Sequence, residues 1–184
     1  MLPKRFDLFD PDTPVVFADG TAVFKELAKT YKTHKKGYFI LAPSGAGKTH
    51  FVDNQKQKDW IDGDVLWMTT HAHPEGEWWL DMSRVDQVEQ RSDVITVQAK
   101  GLGFWIVGSD SYAVTPDAIA LPHWSTHKRY IKLREKQYDG GATSEHLAQV
   151  LHHRRWLAKF ARKGVPIFRS VEEAAAFLAK QPVS

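Results

Sequence analysis

The chain has 184 residues, 42% of them apolar, with a net charge of +3 and no cysteine. This size fits a single domain around one core, and the lack of cysteine excludes disulfides, thiolate metal sites and cysteine nucleophiles, so any metal must be held by oxygen or nitrogen. No run of eighteen apolar residues occurs, and residues 1–7 lead into charge, so we expect a cytoplasmic protein with neither a membrane span nor a signal peptide.

The first predicted elements are a helix and a buried strand. Residues 1–20 contain many turn signals and receive no assignment. A helix is predicted from about residue 21 to residue 31, because apolar residues recur there at spacings of four while lysines occupy the other face. Residues 37–41 read Gly-Tyr-Phe-Ile-Leu, an apolar run that is typical of a buried parallel strand.

The segment after this strand, residues 42–49, is called the phosphate loop below. It reads Ala-Pro-Ser-Gly-Ala-Gly-Lys-Thr and resembles the Walker A motif of P-loop NTPases, with Ala42 where the commonest form has glycine. Small residues let successive backbone N–H groups converge on phosphate, while Lys48 adds charge and Thr49 offers a hydroxyl to Mg²⁺. We expect Lys48 to act from a solvent-facing loop rather than through core packing. The residues predicted to bind the nucleotide are Ser44, Gly45, Ala46, Gly47, Lys48, Thr49 and His50.

The second motif is a pair of aspartates that follows the next predicted strand. Residues 60–67 predict a short strand that ends in acidic residues and a turn, with Asp-Gly-Asp at 62–64. This tripeptide resembles the one that closes the second strand in kinases of small hydroxyl substrates, such as adenylylsulfate and gluconate kinases. Residues 63–66 also resemble a Gly-Asp-x-Leu stretch of adenylate kinases, although Trp67 stands where those enzymes carry an arginine. An ordinary turn is the third interpretation.

The kind of acceptor decides which side chains matter. A hydroxyl acceptor must lose a proton, so Asp62 or Asp64 is a candidate base or orienting group. A phosphate acceptor is already anionic and needs arginines instead, for which Arg84 and Arg91 are the candidates.

An aromatic segment with two histidines lies between residues 69 and 79, where no regular structure is predicted. Trp78 and Trp79 are adjacent, so both cannot easily face one interior, and Trp78 is a candidate for stacking on a nucleobase. His71 and His73 have the spacing of two metal ligands on a strand. No third ligand is evident, so no zinc site is assigned.

The remaining elements complete an alternating pattern. Apolar or small residues step by three and four from residue 83 to 102, which favours a long helix over a strand despite the β-branched residues 94–97. Strands are predicted at 104–110, 118–122 and 165–168. Helices are predicted through the basic residues 128–134, over 143–163, and after a cap at Ser170. Strands spaced for crossovers predict an α/β fold with three α/β/α layers and a mostly parallel sheet, the P-loop NTPase fold.

This order, the compact size and the late basic segment resemble the P-loop kinases of the nucleoside monophosphate kinase-like group, over residues 37–180. The resemblance implies that Lys48 stabilises the transferred charge, that Thr49 helps to hold Mg²⁺, and that a carboxylate after a neighbouring strand orients the metal's waters. The strand position favours Asp110 for that carboxylate, and the pair Asp62 and Asp64 is the alternative.

The resemblance also implies a mobile lid that supplies cations to the transferring phosphoryl group. The predicted lid segment spans residues 134–155, with a hinge at Gly140-Gly141. Its candidate cations are Arg134, Arg154 and Arg155. For each arginine alone, a solvated helix face is the alternative interpretation. His152 and His153 are expected to lie on the helix surface.

The sequence therefore predicts one P-loop kinase domain over residues 1–184, with an amino-terminal extension and helix (1–36) and a core (37–180). We expect it to use ATP and Mg²⁺ to phosphorylate a nucleotide, with a nucleoside monophosphate as the leading acceptor. The alternatives are a hydroxyl acceptor, on a small molecule or on a nucleotide within DNA or RNA, and a nucleotide-binding ATPase that is not a kinase. The acceptor's identity and the oligomeric state stay open.

Overall fold

Five short apolar segments form a parallel sheet in the computed structural model, which describes Val15 and residues 22–74, 76, 78–137 and 141–182. The strands are β1 (Tyr38–Leu41), β2 (Trp60–Asp62), β3 (Trp105–Gly108), β4 (Ala118–Ala120) and β5 (Ile167–Phe168). They lie in the order β2-β3-β1-β4-β5, and every neighbouring pair is parallel. All four residues of β1 are buried, as expected for a central strand covered on both faces.

Helices connect and flank these strands. They are α1 (Val23–Thr30), α2 (Lys48–Asn54), α3 (Gly63–Thr69), α4 (Met82–Gly101), α5 (Trp124–Glu135), α6 (Leu147–Ala158) and α7 (Val171–Ala179). The long helix α4 confirms the helical interpretation of residues 83–102. None of the helices within the described ranges combines the length and the hydrophobicity needed to cross a lipid bilayer.

One predicted boundary is wrong. Residues 63–67 do not continue a strand or form a turn but begin α3, because the Asp62 carboxylate accepts a hydrogen bond from the N–H of Asp64 at 3.0 Å. An aspartate in this position satisfies a backbone donor that the first helical turn leaves free. Strand β2 therefore stops at Asp62, and Asp64 lies in the first turn of a helix.

The helices cover both faces of the sheet. Because successive strand residues point to opposite faces, Phe39 and Leu41 contribute to one core and Tyr38 and Ile40 to the other. The first core also contains residues of α3, α4 and α6, and residues of α1 pack against it. The second core contains residues of α2 and α7. The architecture is the expected three-layer α/β/α arrangement.

Strand register brings several loops to one edge of the sheet. Leu41 is paired with Gly108 and Asp62 with Val107, so β1, β2 and β3 end side by side. The phosphate loop follows β1, α3 follows β2, and Asp110 comes two residues after β3. The turn-rich segment 1–20 lies outside the described residues, apart from Val15.

Candidate functional site

The phosphate loop joins β1 to α2 and carries its lysine inward. Lys48 is only 6% exposed, which corrects the expectation of a solvent-facing side chain. Its Nζ lies 3.3 Å from the carbonyl oxygen of Ala42 and 3.4 Å from that of Pro43. The ammonium is thus folded onto the loop's own carbonyl groups, where it is partly shielded from water. An anion placed inside the loop would meet a charge of reduced hydration.

Thr49 lies against the end of β2. Its hydroxyl donates to Oδ2 of Asp62 at 3.1 Å, while Oδ1 of the same carboxylate caps α3. A hydroxyl next to a carboxylate is the type of hard oxygen donor set that suits Mg²⁺. In the described ranges no group of three or more histidine and carboxylate side chains could hold a metal. An ion held at Thr49 and Asp62 would therefore complete its coordination with phosphate oxygens and water.

Asp110 is engaged by His73 rather than by Thr49. The Nε2 of His73 lies 3.2 Å from Oδ2 of Asp110, and the Ser109 hydroxyl donates to the other carboxylate oxygen. Burial alone would raise the pKa of Asp110, but His73 and Ser109 outweigh burial and hold the pKa below its ordinary value. His73 is enclosed between Trp67 and Trp78, with ring centroids at 4.8 and 4.7 Å. His73 and Ser109 therefore favour the ionised form of Asp110.

Asp64 is placed differently, in the first turn of α3. Burial raises its pKa above the ordinary value; the carboxylates of Asp62 and Asp110 add to this rise, whereas the Lys48 ammonium opposes it. The charges that act on Asp64 come from the phosphate loop and from the ends of two strands. Lys48, Asp62 and Asp110 are thus close enough to Asp64 to influence its pKa, so the two alternative carboxylate positions lie in one region.

Two further ionisable residues were missed from the sequence. Burial raises the pKa of Glu89 on α4 to about 8, with the carboxylate of Asp110 as the next contribution. Burial lowers the pKa of His153 on α6 to about 4, although Asp110 opposes this shift. The expectation that His153 is a surface residue is wrong: it is half-buried and stacked on Trp156 at 5.5 Å between ring centroids, whereas His152 is exposed.

The sequence carried an indirect signal that the face of α4 on which Glu89 lies is partly buried, and this signal is Asp93. Asp93, one helical turn later, is a carboxylate on the buried face of α4. Its two oxygens accept hydrogen bonds from the Ser111 hydroxyl and from the N–H groups of residues 112–114. A carboxylate within an apolar stripe indicates a buried partner, and here the partner is the loop that follows Asp110.

The predicted lid segment contacts the phosphate loop through Ser44. Nη1 of Arg134 and the N–H of Ala142 lie 3.1 and 3.2 Å from the Ser44 hydroxyl oxygen. Arg154 is only 9% exposed and donates to Nδ1 of His127 and to the carbonyl oxygen of Pro122. Of the three predicted cations, Arg134 thus contacts the phosphate loop directly. Arg154 is connected to the loop through His127, whose other ring nitrogen contacts Ser44.

The other predicted residues are mostly exposed. Arg155 and Arg84 are exposed, as is His50, whose ring contacts Asn54. Arg91 is half-buried, and its Nε has no hydrogen-bond partner among the described residues. Gly140, in the predicted lid hinge, lies outside the described residues.

The tryptophan pair divides between core and surface. Trp78 is buried against His73, whereas Trp79 is 38% exposed. Trp78 therefore packs on the histidine that contacts Asp110, and Trp79 is the ring of the pair that remains accessible to solvent. His71 is exposed while His73 is enclosed.

Comparisons with known proteins add little to this geometry. No protein-family model matches the chain, and no curated protein matches it. A solved structure from the PezAT chromosomal toxin–antitoxin system of Streptococcus pneumoniae is similar over 75% of this chain and 70% of that chain, with 19% identity and a TM-score of 0.31. A likeness at that level supports no inference about function.

Proposed function

We propose that this chain is an ATP- and Mg²⁺-dependent phosphotransferase whose acceptor is a hydroxyl group. The observation that carries the proposal is the position of Asp64, a carboxylate of raised pKa that shares one sheet edge with Lys48 of the phosphate loop. The donor half rests on the loop sequence, on the inward Lys48, and on the contact between Thr49 and Asp62.

The donor residues have the chemistry to bind a nucleotide triphosphate. Backbone N–H groups of the phosphate loop would bind the phosphates, and the Lys48 ammonium would stabilise charge that develops on the transferring group. Thr49 and Asp62 are the residues that would hold Mg²⁺, which supplies electrostatic stabilisation to the phosphates. Asp110, whose Oδ2 lies 3.2 Å from Nε2 of His73, would be available to orient metal-bound water.

The acceptor residues are chiefly carboxylates, which favours a hydroxyl over a phosphate. Asp64 would accept the hydroxyl proton while the acceptor oxygen forms a bond to the γ-phosphorus and the bond to the β-phosphate oxygen breaks, releasing ADP. A raised pKa makes a carboxylate a better base at neutral pH. A second anionic phosphate would have to approach Asp62, Asp64 and Asp110, which is electrostatically costly.

A nucleoside monophosphate is the second candidate acceptor, and Arg91 is the observation that favours it. Its half-buried guanidinium has an Nε without a hydrogen-bond partner in the described part of the chain. A guanidinium in that state is suited to bind an anionic oxygen.

The test is ATP consumption by the purified protein against a panel of nucleosides, small polyols, nucleoside monophosphates, and single- and double-stranded oligonucleotides with 5′-hydroxyl ends. The Lys48→Met variant, purified in parallel, controls for contaminating kinases. Phosphate incorporated only into hydroxyl acceptors supports the proposal, and incorporation only into monophosphates supports the second candidate. Hydrolysis without any acceptor would leave the ATPase interpretation.

A further inference from the structure

The phosphate loop is braced from outside by a buried histidine. His127 on α5 has no exposed surface, and its Nε2 lies 2.7 Å from the carbonyl oxygen of Ser44. Its Nδ1 lies 2.9 Å from Nη1 of Arg154. An arginine only donates hydrogen bonds, so Nδ1 must accept, and the ring proton must be on Nε2, which donates to Ser44. These contacts define both the tautomer and the neutral state of His127.

Arg154 is itself fixed, so the tautomer does not depend on a mobile partner. Its Nη2 donates to the carbonyl oxygen of Pro122 at 2.7 Å, and its guanidinium carbon lies 5.4 Å from the centroid of Trp124. A second cation next to a protonated His127 would be unfavourable, which accords with a pKa of about 4 for His127, lowered mainly by burial.

The hydrogen bond from His127 sets the direction of one peptide group. The C=O of Ser44 and the N–H of Gly45 belong to the same planar trans peptide and point in opposite directions. Since the C=O points at α5, the N–H of Gly45 points away from it, and that N–H donates to no group among the described residues. Gly45 has a positive φ of 79°, and a Cβ there would lie 2.7 Å from Cγ1 of Ile131 on α5, so the helix packs directly on this peptide.

We propose that His127 is a positioning residue that turns the N–H of Gly45 toward the phosphates of the bound nucleotide. This inference rests on the proposed nucleotide site. Without the imidazole, the peptide between Ser44 and Gly45 can rotate and present its carbonyl oxygen to the phosphates, which repels them. Arg154 serves the same peptide indirectly, by holding His127 in the donating tautomer.

The first test needs no substitution. Long-range ¹⁵N–¹H NMR of the full chain at pH 7 should show a neutral His127 ring with its proton on Nε2. A proton on Nδ1, or a charged ring, would overturn the inference. This spectrum can overturn the inference even if substitutions at a buried position prevent folding.

The second test measures binding by calorimetry with two probes, the Mg²⁺ complex of a non-hydrolysable ATP analogue and inorganic tripolyphosphate. The His127→Phe variant should raise both Kd values about tenfold, the loss expected for one well-placed hydrogen bond. His127→Gln, whose amide can donate to the Ser44 carbonyl, should stay within about threefold of the wild type. His152→Phe, an exposed histidine on α6, is the matched control and should change neither Kd.

Other outcomes separate the inference from the proposed function. If the wild type binds both probes and His127→Phe binds them equally well, the inference fails while the proposed function stands. A folded Gln variant as weak as the Phe variant would assign the effect to packing and also overturn it. If the wild-type protein binds neither probe, both proposals fall.

Discussion

The two halves of the candidate site are built in different ways. The donor side consists of the phosphate loop with His127 and Arg134, and it depends mainly on backbone groups of one continuous segment. The other half is called the acceptor side because it carries the proposed base Asp64. It also contains Asp62 and Asp110, which belong to the proposed Mg²⁺ site, together with His73 and Glu89, and its side chains come from four separate segments. The first is a local structure that α5 braces, while the second exists only after the sheet and α4 have assembled.

This difference predicts how each side responds to substitution. On the donor side a single charge should be removable without loss of the fold, because the loop follows a fully buried strand. On the acceptor side chemistry and packing share the same residues, so activity and stability should fall together. The experiments below are ordered from the largest expected effect to the smallest.

The Lys48→Ala variant should lose phosphoryl transfer by about a thousandfold, because the ammonium acts where charge develops in the transition state. Transfer rate and thermal unfolding are measured on the same preparation. The midpoint of unfolding should change little, since the contacts that Nζ makes with described residues are two long ones to carbonyl groups. Near-normal turnover in the folded variant would remove the kinase proposal.

The Asp64→Asn variant should lower kcat by about a hundredfold or more if the acceptor is a hydroxyl. In the wild type the rate should rise with pH as Asp64 deprotonates, with a midpoint above the ordinary value of 3.8, and this rise should disappear in the variant. Arg91→Met is the matched comparison. A larger loss in Arg91→Met than in Asp64→Asn would shift the proposal to the monophosphate acceptor.

The Gly108→Ala variant should be destabilised by about 3 kcal/mol through overpacking. Gly108 ends β3, and a Cβ there would lie 2.3 Å from Cη2 of Trp67. Trp67 is fully buried and donates from Nε1 to Thr96, so it cannot easily move aside. Chemical denaturation measures the loss, with Gly101→Ala as a control because its Cβ would meet no atom of another described element within 4 Å. Equal stability of the two variants would contradict a rigid acceptor side.

The stability contributions of Glu89 and His127 should respond to pH in opposite directions. Glu89 has a folded pKa of about 8 against an ordinary value of 4.5, so the folded state binds more protons between these values. Its contribution to stability is complete below pH 4.5 and is lost as pH rises to 8. Glu89→Gln should therefore gain about 2 kcal/mol over the wild type at pH 9. Unfolding free energies at pH 5, 7 and 9 test this.

For His127, on the donor side, the shift in pKa and therefore the change of stability with pH have the opposite sign. Its folded pKa of about 4 lies below the ordinary 6.5, so the unfolded chain binds more protons between these values. Stability is then greatest above pH 6.5 and falls as the pH drops toward 4. In His127→Phe the slope of stability between pH 6.5 and 4 should become shallower. An unchanged slope would mean that another group causes the loss of stability between pH 6.5 and 4.

The sequence predicted local features better than features that depend on tertiary contacts. The five strands and α4 follow from contiguous patterns, because apolar runs indicated the strands and apolar spacings of three and four indicated α4. The start of α3 was missed because one carboxylate, Asp62, ends the strand by capping a helix. Whether a helix follows Asp-Gly-Asp depends on that hydrogen bond and not on composition.

The acceptor side was only partly predictable, because the burial of its side chains depends on tertiary contacts. Asp62, Asp64 and Asp110 stood out as acidic residues near strand ends, where parallel strands bring loops together. Glu89 and His153 belong to helices whose polar residues look like solvent-exposed ones. Only the packing of α4 and α6 in the core on one face of the sheet reveals that they are partly removed from water.

Asp62 is a junction between fold and function. One of its oxygens begins α3, and the other accepts the hydrogen bond from Thr49. Any ion that draws on this carboxylate will also change the strength of the cap, and by reciprocity the formation of α3 will tune affinity for the ion. Ligand binding and local helix stability are then two readouts of one equilibrium. A substitution that removes both oxygens, such as Asp62→Ala, should weaken the cap and the proposed ion site together.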